Sequence, residues 1–109
     1  MNKRRIEGRQ MDDKKAKKLK GAVGMLKQLA HPVRLSILCN LLQKGEMSVG
    51  EIVAAEQGAV AQSQISQFLG KMKSEGLLDS RKEAQTVYYK IASPRAEKVV
   101  KSLYNIYCG

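Results

Sequence analysis

Residues Ser48 to Ser74, SVGEIVAAEQGAVAQSQISQFLGKMKS, decide the fold. Ser48-Val49-Gly50-Glu51 has the spacing of a capping box, in which the serine side chain and the glutamate three residues later each satisfy a free backbone N–H at a helix start. A short helix follows through Ile52, Val53 and Ala54, and Gln57-Gly58-Ala59-Val60 turns the chain. A second helix runs from Gln62 to Ser74. On it Ile65, Phe68, Leu69 and Met72 recur at helical steps and face inward, while Gln62, Ser63, Gln64, Ser66, Gln67, Lys71 and Lys73 face outward. Two short helices joined by a tight turn predict a helix-turn-helix.

Upstream, a helix is expected from about Asp12, with Leu19, Ala22, Val23, Leu26, Leu29 and Ala30 on one face and lysines on the other. Gly21 and Gly24 weaken it in isolation, so docking on a partner is expected to stabilise it. His31-Pro32 interrupts the pattern, and Pro32 suits the first turn of a mostly buried helix through Leu35, Ile37, Leu38, Cys39, Leu41 and Leu42, closed by Lys44-Gly45.

Downstream, Gly76 ends the second helix of the motif. Residues 77–81 and 86–91 read as two β segments around a Lys82-Glu83-Ala84-Gln85 turn, a hairpin that must pack on the helices to be stable. Ser93-Pro94 starts a last helix as N-cap and first helical residue, with Ala96, Val99, Val100, Leu103, Ile106 and Tyr107 as its apolar face. The predicted order is α-α-α-α-β-β-α, mainly helical with a small β-hairpin: a winged helix-turn-helix over residues 12–109, preceded by a flexible basic arm over residues 1–11. Ile6-Glu7-Gly8-Arg9 in that arm matches the recognition sequence of the protease factor Xa, and no function is placed on it.

The 109-residue length allows one small domain whose core would gain from dimerisation. Twenty Lys and Arg against 10 Asp and Glu give a formal charge of +10, which favours a polyanionic partner. Double-stranded DNA fits the motif. Glutamine can pair bidentately with adenine and serine can bond bases or phosphates, so Gln62, Ser63, Gln64, Ser66 and Gln67 are the candidate base-reading residues. Lys71 and Lys73, with Arg81 and Lys82 in the wing, are the candidate phosphate contacts. No apolar run approaches the roughly 18 to 20 residues of a membrane span, and the N-terminus lacks the apolar stretch of a signal peptide, so a cytoplasmic protein without a membrane partner is expected.

Cys39 and Cys108 are the only cysteines, and His31 the only histidine. An intrachain four-ligand zinc site of the usual type cannot be built from these, and no cofactor is called for. In a reducing compartment the two thiols are either inert packing or a redox-responsive pair that sets DNA affinity. No Cys-x-x-Cys pair and no βαβ pattern point to a thiol enzyme, and no enzymatic activity is expected.

Several stretches together resemble the ArsR family of bacterial transcription repressors: residues 30–38 (AHPVRLSIL), 48–52 (SVGEI), 62–69 (QSQISQFL), 75–78 (EGLL) and 85–89 (QTVYY). The likeness spans roughly residues 15–108. Ile37-Leu38-Cys39 together with Leu103-Tyr104-Asn105-Ile106-Tyr107-Cys108 resembles its dithiol branch. That resemblance implies a homodimer that binds an inverted-repeat operator and releases it when small reactive sulfur species, persulfide or polysulfide, link the two cysteines. It also implies a dimer interface on the first and last helices, through Leu19, Val23, Leu26, Val99, Val100, Leu103 and Ile106. The metal-sensing branches are a poor match, since Met47 to Glu51 holds no cysteine and residues 94–108 hold no His or Asp. Three positions depart from the family pattern: Phe68 replaces a common histidine, Ala61 occupies the usual Ser/Thr N-cap, and the turn before it is about two residues longer. The competing expectation is a constitutive or anti-silencing DNA-binding regulator whose cysteines are structural or respond to redox state in general.

Overall fold

The computed structural model describes residues 12–58 and 60–109. The basic arm expected over residues 1–11, and Ala59 of the turn, lie outside the described residues. Among the described residues five helices and three short strands follow in the order α1 (Asp13–Leu29), α2 (Pro32–Lys44), β1 (Met47–Ser48), α3 (Val49–Glu56), α4 (Gln62–Ser74), β2 (Leu78–Glu83), β3 (Thr86–Ile91) and α5 (Pro94–Tyr107).

Local chemistry sets the helix ends. The Asp12 carboxylate accepts from the Lys15 amide at 2.7 Å to start α1. His31 caps α2, its Nδ1 accepting from the Val33 amide at 3.2 Å, with Pro32 in the first turn. The expected capping box opens α3: the Glu51 amide donates to Ser48 Oγ at 3.1 Å and the Ser48 amide donates to Glu51 Oε1 at 2.8 Å. Ala61 gives α4 no side-chain cap. That helix ends in a Schellman arrangement, with the Gly76 amide on the Lys73 carbonyl at 3.0 Å and the Leu77 amide on the Met72 carbonyl at 2.9 Å. Gly76 takes φ +83°, which the absence of a Cβ makes inexpensive. Ser93 caps α5 through the Ala96 amide.

The wing differs from expectation in two respects. The β2–β3 ladder runs on to Glu83↔Thr86, which shortens the turn to Ala84-Gln85 with Ala84 at φ +56°. A two-residue turn of this kind matches the twist of the strands. The sheet also has a third member, since β1 pairs antiparallel with β3 through Met47↔Tyr89 and Ser48↔Tyr88, giving the order β1-β3-β2. Two residues are too few to show an alternating pattern in the sequence.

The core joins Ile37, Leu38 and Leu41 of α2 to Ile52, Ile65, Leu69, Met72, Leu77, Leu78, Ala96 and Val100. Phe68, expected to face inward with its neighbours, is only partly buried and tilts against the His31 ring at a centroid distance of 4.7 Å. On α1 only Leu29 is buried, and Leu19, Val23 and Leu26 are exposed. No helix among the described residues is long and apolar enough to cross a membrane.

Candidate nucleic-acid interface and dithiol

On α4 the buried positions are Ile65, Leu69 and Met72, which turns Gln62, Ser63, Gln64, Ser66, Gln67, Lys71 and Lys73 to solvent as one polar, basic face. Among the described residues no side chain caps the first turn of the helix, whose Gln64 amide bonds the Ala61 carbonyl at 3.0 Å. Lys73 also donates to Ser80 Oγ at 2.7 Å, tying the end of α4 to the wing.

Helix α2 holds both helices of the motif by polar bonds the sequence reading missed. Glu56, the last residue of α3, is buried and accepts from Ser36 Oγ at 3.0 Å and Asn40 Nδ2 at 3.2 Å. Arg34, also buried, forms an ion pair with Glu75 at the C-cap of α4. The available signal was a charge inside an apolar stripe, Arg34 preceding Ile37, Leu38 and Leu41 at helical spacing.

In the wing, residues alternate between two sheet faces. Leu78, Ser80 and Lys82 share the face that meets α4, and Lys82 is exposed there. Arg81 projects from the opposite face, where Nε and Nη2 donate to the two Glu46 carboxylate oxygens at 2.9 and 2.8 Å and Nη1 donates to Glu83 at 2.7 Å. These bonds hold the Glu46 carboxyl below the usual range for a carboxylate and raise the affinity of Arg81 for its proton. Arg81, expected among the phosphate contacts, is thus engaged within the protein.

Both cysteines are free thiols, Cys39 partly buried on α2 and Cys108 exposed at the C-cap of α5. Cys39 lies one turn before Gln43, and Cys108 one turn after Tyr104, to whose carbonyl its amide donates at 2.7 Å. The Gln43 side-chain amide donates to the Tyr104 hydroxyl and joins these two faces. The Cys39 thiol is pushed above the ordinary thiol range, first by burial and then by Cys108.

The expected interface residues divide. Leu19, Val23, Leu26 and Ile106 are exposed, Ile106 at 71 %, together with Tyr107 at 81 %, while Val99 and Leu103 are half-buried. Val100 is corrected: at 0 % exposure it belongs to the core of the single chain, because the rotation of about 100° per helical residue turns it inward when Val99 is at the rim. Between α1 and α5 lies an open groove of about 570 Å³ lined by Ala22, Met25 and Val99 among lysines and Arg95. Among the described residues no cluster of His, Cys, Asp or Glu could hold a metal ion.

A polar recognition helix held on a three-helix support, with a β wing beside it, defines a winged helix-turn-helix DNA-binding regulator. Residues 31–80 match the profile of the bacterial regulatory protein, arsR family. The biofilm growth-associated repressor of Agrobacterium fabrum is 42% identical over 85 residues, covering 78% of this chain and 70% of that protein. The transcriptional activator HlyU of Vibrio cholerae is 41% identical over 87 residues, covering 80% and 78%. Among solved structures, reduced HlyU from Vibrio cholerae superposes with a TM-score of 0.82 at 38% identity, covering 90% of this chain and all of that one. The repressor BigR from Xylella fastidiosa superposes at 0.74 with 34% identity, covering 86% and 93%. The chain belongs to the ArsR family of DNA-binding transcriptional regulators.

Proposed function

We propose that this protein is a cytoplasmic homodimeric repressor that leaves an inverted-repeat operator when reactive sulfur species link Cys39 to Cys108. The observation that carries the reading is the placement of two free thiols on the facing helices α2 and α5, beside the Gln43–Tyr104 bond. That a relative's structure is described as the reduced form agrees with a protein whose oxidation state matters. Gln62, Ser63, Gln64, Ser66 and Gln67 read bases, and Lys71, Lys73 and Lys82 contact phosphates. Exposed Leu19, Val23, Leu26 and Ile106, with Val99 and Leu103, supply the dimer surface, whose burial removes apolar area from water.

Cys108, the exposed thiol, reacts first. Its thiolate attacks the outer sulfur of a persulfide RS–SH and forms Cys108–S–SH, with RS⁻ as leaving group. The Cys39 thiolate then attacks the Cys108 sulfur, closing Cys39–S–S–Cys108 and releasing sulfide. If both cysteines are first persulfidated, their condensation leaves a trisulfide and releases the same product. A direct disulfide needs Cα atoms within about 7 Å, and extra sulfur relaxes that limit.

Coupling to DNA runs through α2. Cys39 lies between Ser36 and Asn40, which hold α3, and on the same helix as Arg34, which holds α4. A crosslink that shifts α2 against α5 therefore bears on both helices of the motif and on the spacing of the two recognition helices. A coupling of about 1–3 kcal/mol, usual for allosteric proteins, changes operator affinity roughly 5- to 150-fold. The alternative, a constitutive or anti-silencing regulator with structural cysteines, is favoured by the partial burial of Cys39 in an apolar helix.

Reduced protein treated with glutathione persulfide, analysed by intact mass and by binding to a selected operator duplex, separates the two. An intramolecular crosslink with weakened binding, absent in Cys39→Ser and Cys108→Ser, supports the sensor. Unchanged binding by the crosslinked protein, or an identical response in the serine variants, overturns it.

A further inference from the structure

The sheet order β1-β3-β2 places Arg81, Tyr88 and Ser48 in one row across the three strands. Glu46 stands two residues before Ser48 and so on the same face, as does Glu83, two residues after Arg81. The Arg81 side chain crosses β3, with its guanidinium carbon 4.4 Å from the centre of the Tyr88 ring, and closes a two-pronged bond on Glu46. With Nη1 on Glu83, every guanidinium nitrogen is bonded to one of two carboxylates. A phosphate at this place would have to share the guanidinium with both carboxylates, through the two N–H groups left over. Beyond Leu78 the residues of β2 leave the core, so this bridge is what ties the outer strand back to the loop ahead of the helix-turn-helix.

We propose that Arg81 is a positioning residue of the wing: paired with Glu46, it sets the angle of the hairpin to the helix-turn-helix, so that Lys82 on the opposite face meets the DNA backbone alongside α4. It rests on the reading that the wing touches DNA. The fork and the flat stacking face of arginine are both used, and lysine supplies neither.

The test is affinity of the full chain and its salt dependence, measured on a duplex that the wild-type protein selects from random-sequence DNA, with thermal melting of each variant to register folding. Glu46→Ala gives opposite signs for the two roles. If Arg81 positions the wing, binding weakens by up to about fivefold, the scale of an exposed ion pair expressed entirely in DNA affinity. If Arg81 is a phosphate contact, removing a nearby negative charge and freeing the guanidinium tightens binding. Arg81→Lys keeps the charge and loses the fork; positioning predicts a loss matching Glu46→Ala with the salt slope unchanged. Near wild-type binding by Arg81→Lys, or tighter binding by Glu46→Ala, overturns the proposal. Lys82→Ala tests the underlying reading: a contact there lowers the salt slope by about one. If Lys82→Ala weakens binding and Glu46→Ala does not, positioning alone fails. If neither has an effect, the wing reading fails and the proposal with it.

Discussion

The Gln43 side-chain amide donates to the Tyr104 hydroxyl, joining α2 to α5 one helical turn from each cysteine. On α2 the turn runs from Cys39 to Gln43, and on α5 from Tyr104 to Cys108, so the hydrogen bond joins the helix turns that carry the two thiols. Tyr104→Phe removes that bond and little else. The expected result is a loss of at most about 1 kcal/mol in stability, unchanged DNA binding by the reduced protein, and crosslinking slowed by about fivefold as the end of α5 loses its preferred place. Mass spectrometry of quenched samples after persulfide addition measures the rate, and an unchanged rate rejects the positioning role.

The pH dependence follows from the raised affinity of Cys39 for its proton, caused first by burial and second by Cys108. The folded chain disfavours a thiolate that the unfolded chain forms freely. The resulting stability is complete below the titration of the unfolded thiol and is lost as pH rises through the raised folded value. Reduced wild-type protein should therefore lose part of its stability on the alkaline side of the ordinary thiol range, a component absent from Cys39→Ser. Timed alkylation at neutral pH should label Cys108 before Cys39, and Cys108→Ser should bring the titration of Cys39 partway down, leaving the contribution of burial.

Arg34 and Glu75 retain only 11% and 21% side-chain exposure. Glu75→Ala strands a mostly buried guanidinium, which should cost about 2 kcal/mol after allowance for the partial access of water. Because the pair anchors the end of α4, DNA affinity should fall as well. Urea melts give the first quantity and operator titration the second. Loss of stability without loss of affinity would show that α4 keeps its place without this anchor.

Two substitutions on apolar helix faces should behave differently. Leu26→Glu puts a charge on an exposed stripe of α1, and sedimentation should show the proposed dimer lost while the chain remains folded. Val100→Ala opens a cavity in the core and should cost about 2 kcal/mol with the oligomeric state unchanged. A dimer that survives Leu26→Glu at micromolar concentration would place the interface elsewhere.

Much of this protein was legible one helical turn at a time. The Ser48/Glu51 capping box, Pro32 and Pro94 at helix starts, Gly76 at a helix end, and the three- and four-residue spacing of Ile65, Leu69 and Met72 are local signals, read within one or two turns. They determined the helix order, the polar face of α4 and the presence of a wing. The tertiary structure alone decided the rest, because each remaining feature joins residues far apart in the chain. Arg81 reaches Glu46 across 35 positions, Gln43 reaches Tyr104 across 61, and β1 exists only because β3 returns beside it. Local periodicity could not distinguish Val99 from Val100 at the edge of one stripe, since the docking angle of α5 chooses which is enclosed. For the same reason the sequence supplied two cysteines, and the packing of α2 against α5 put them on facing helices.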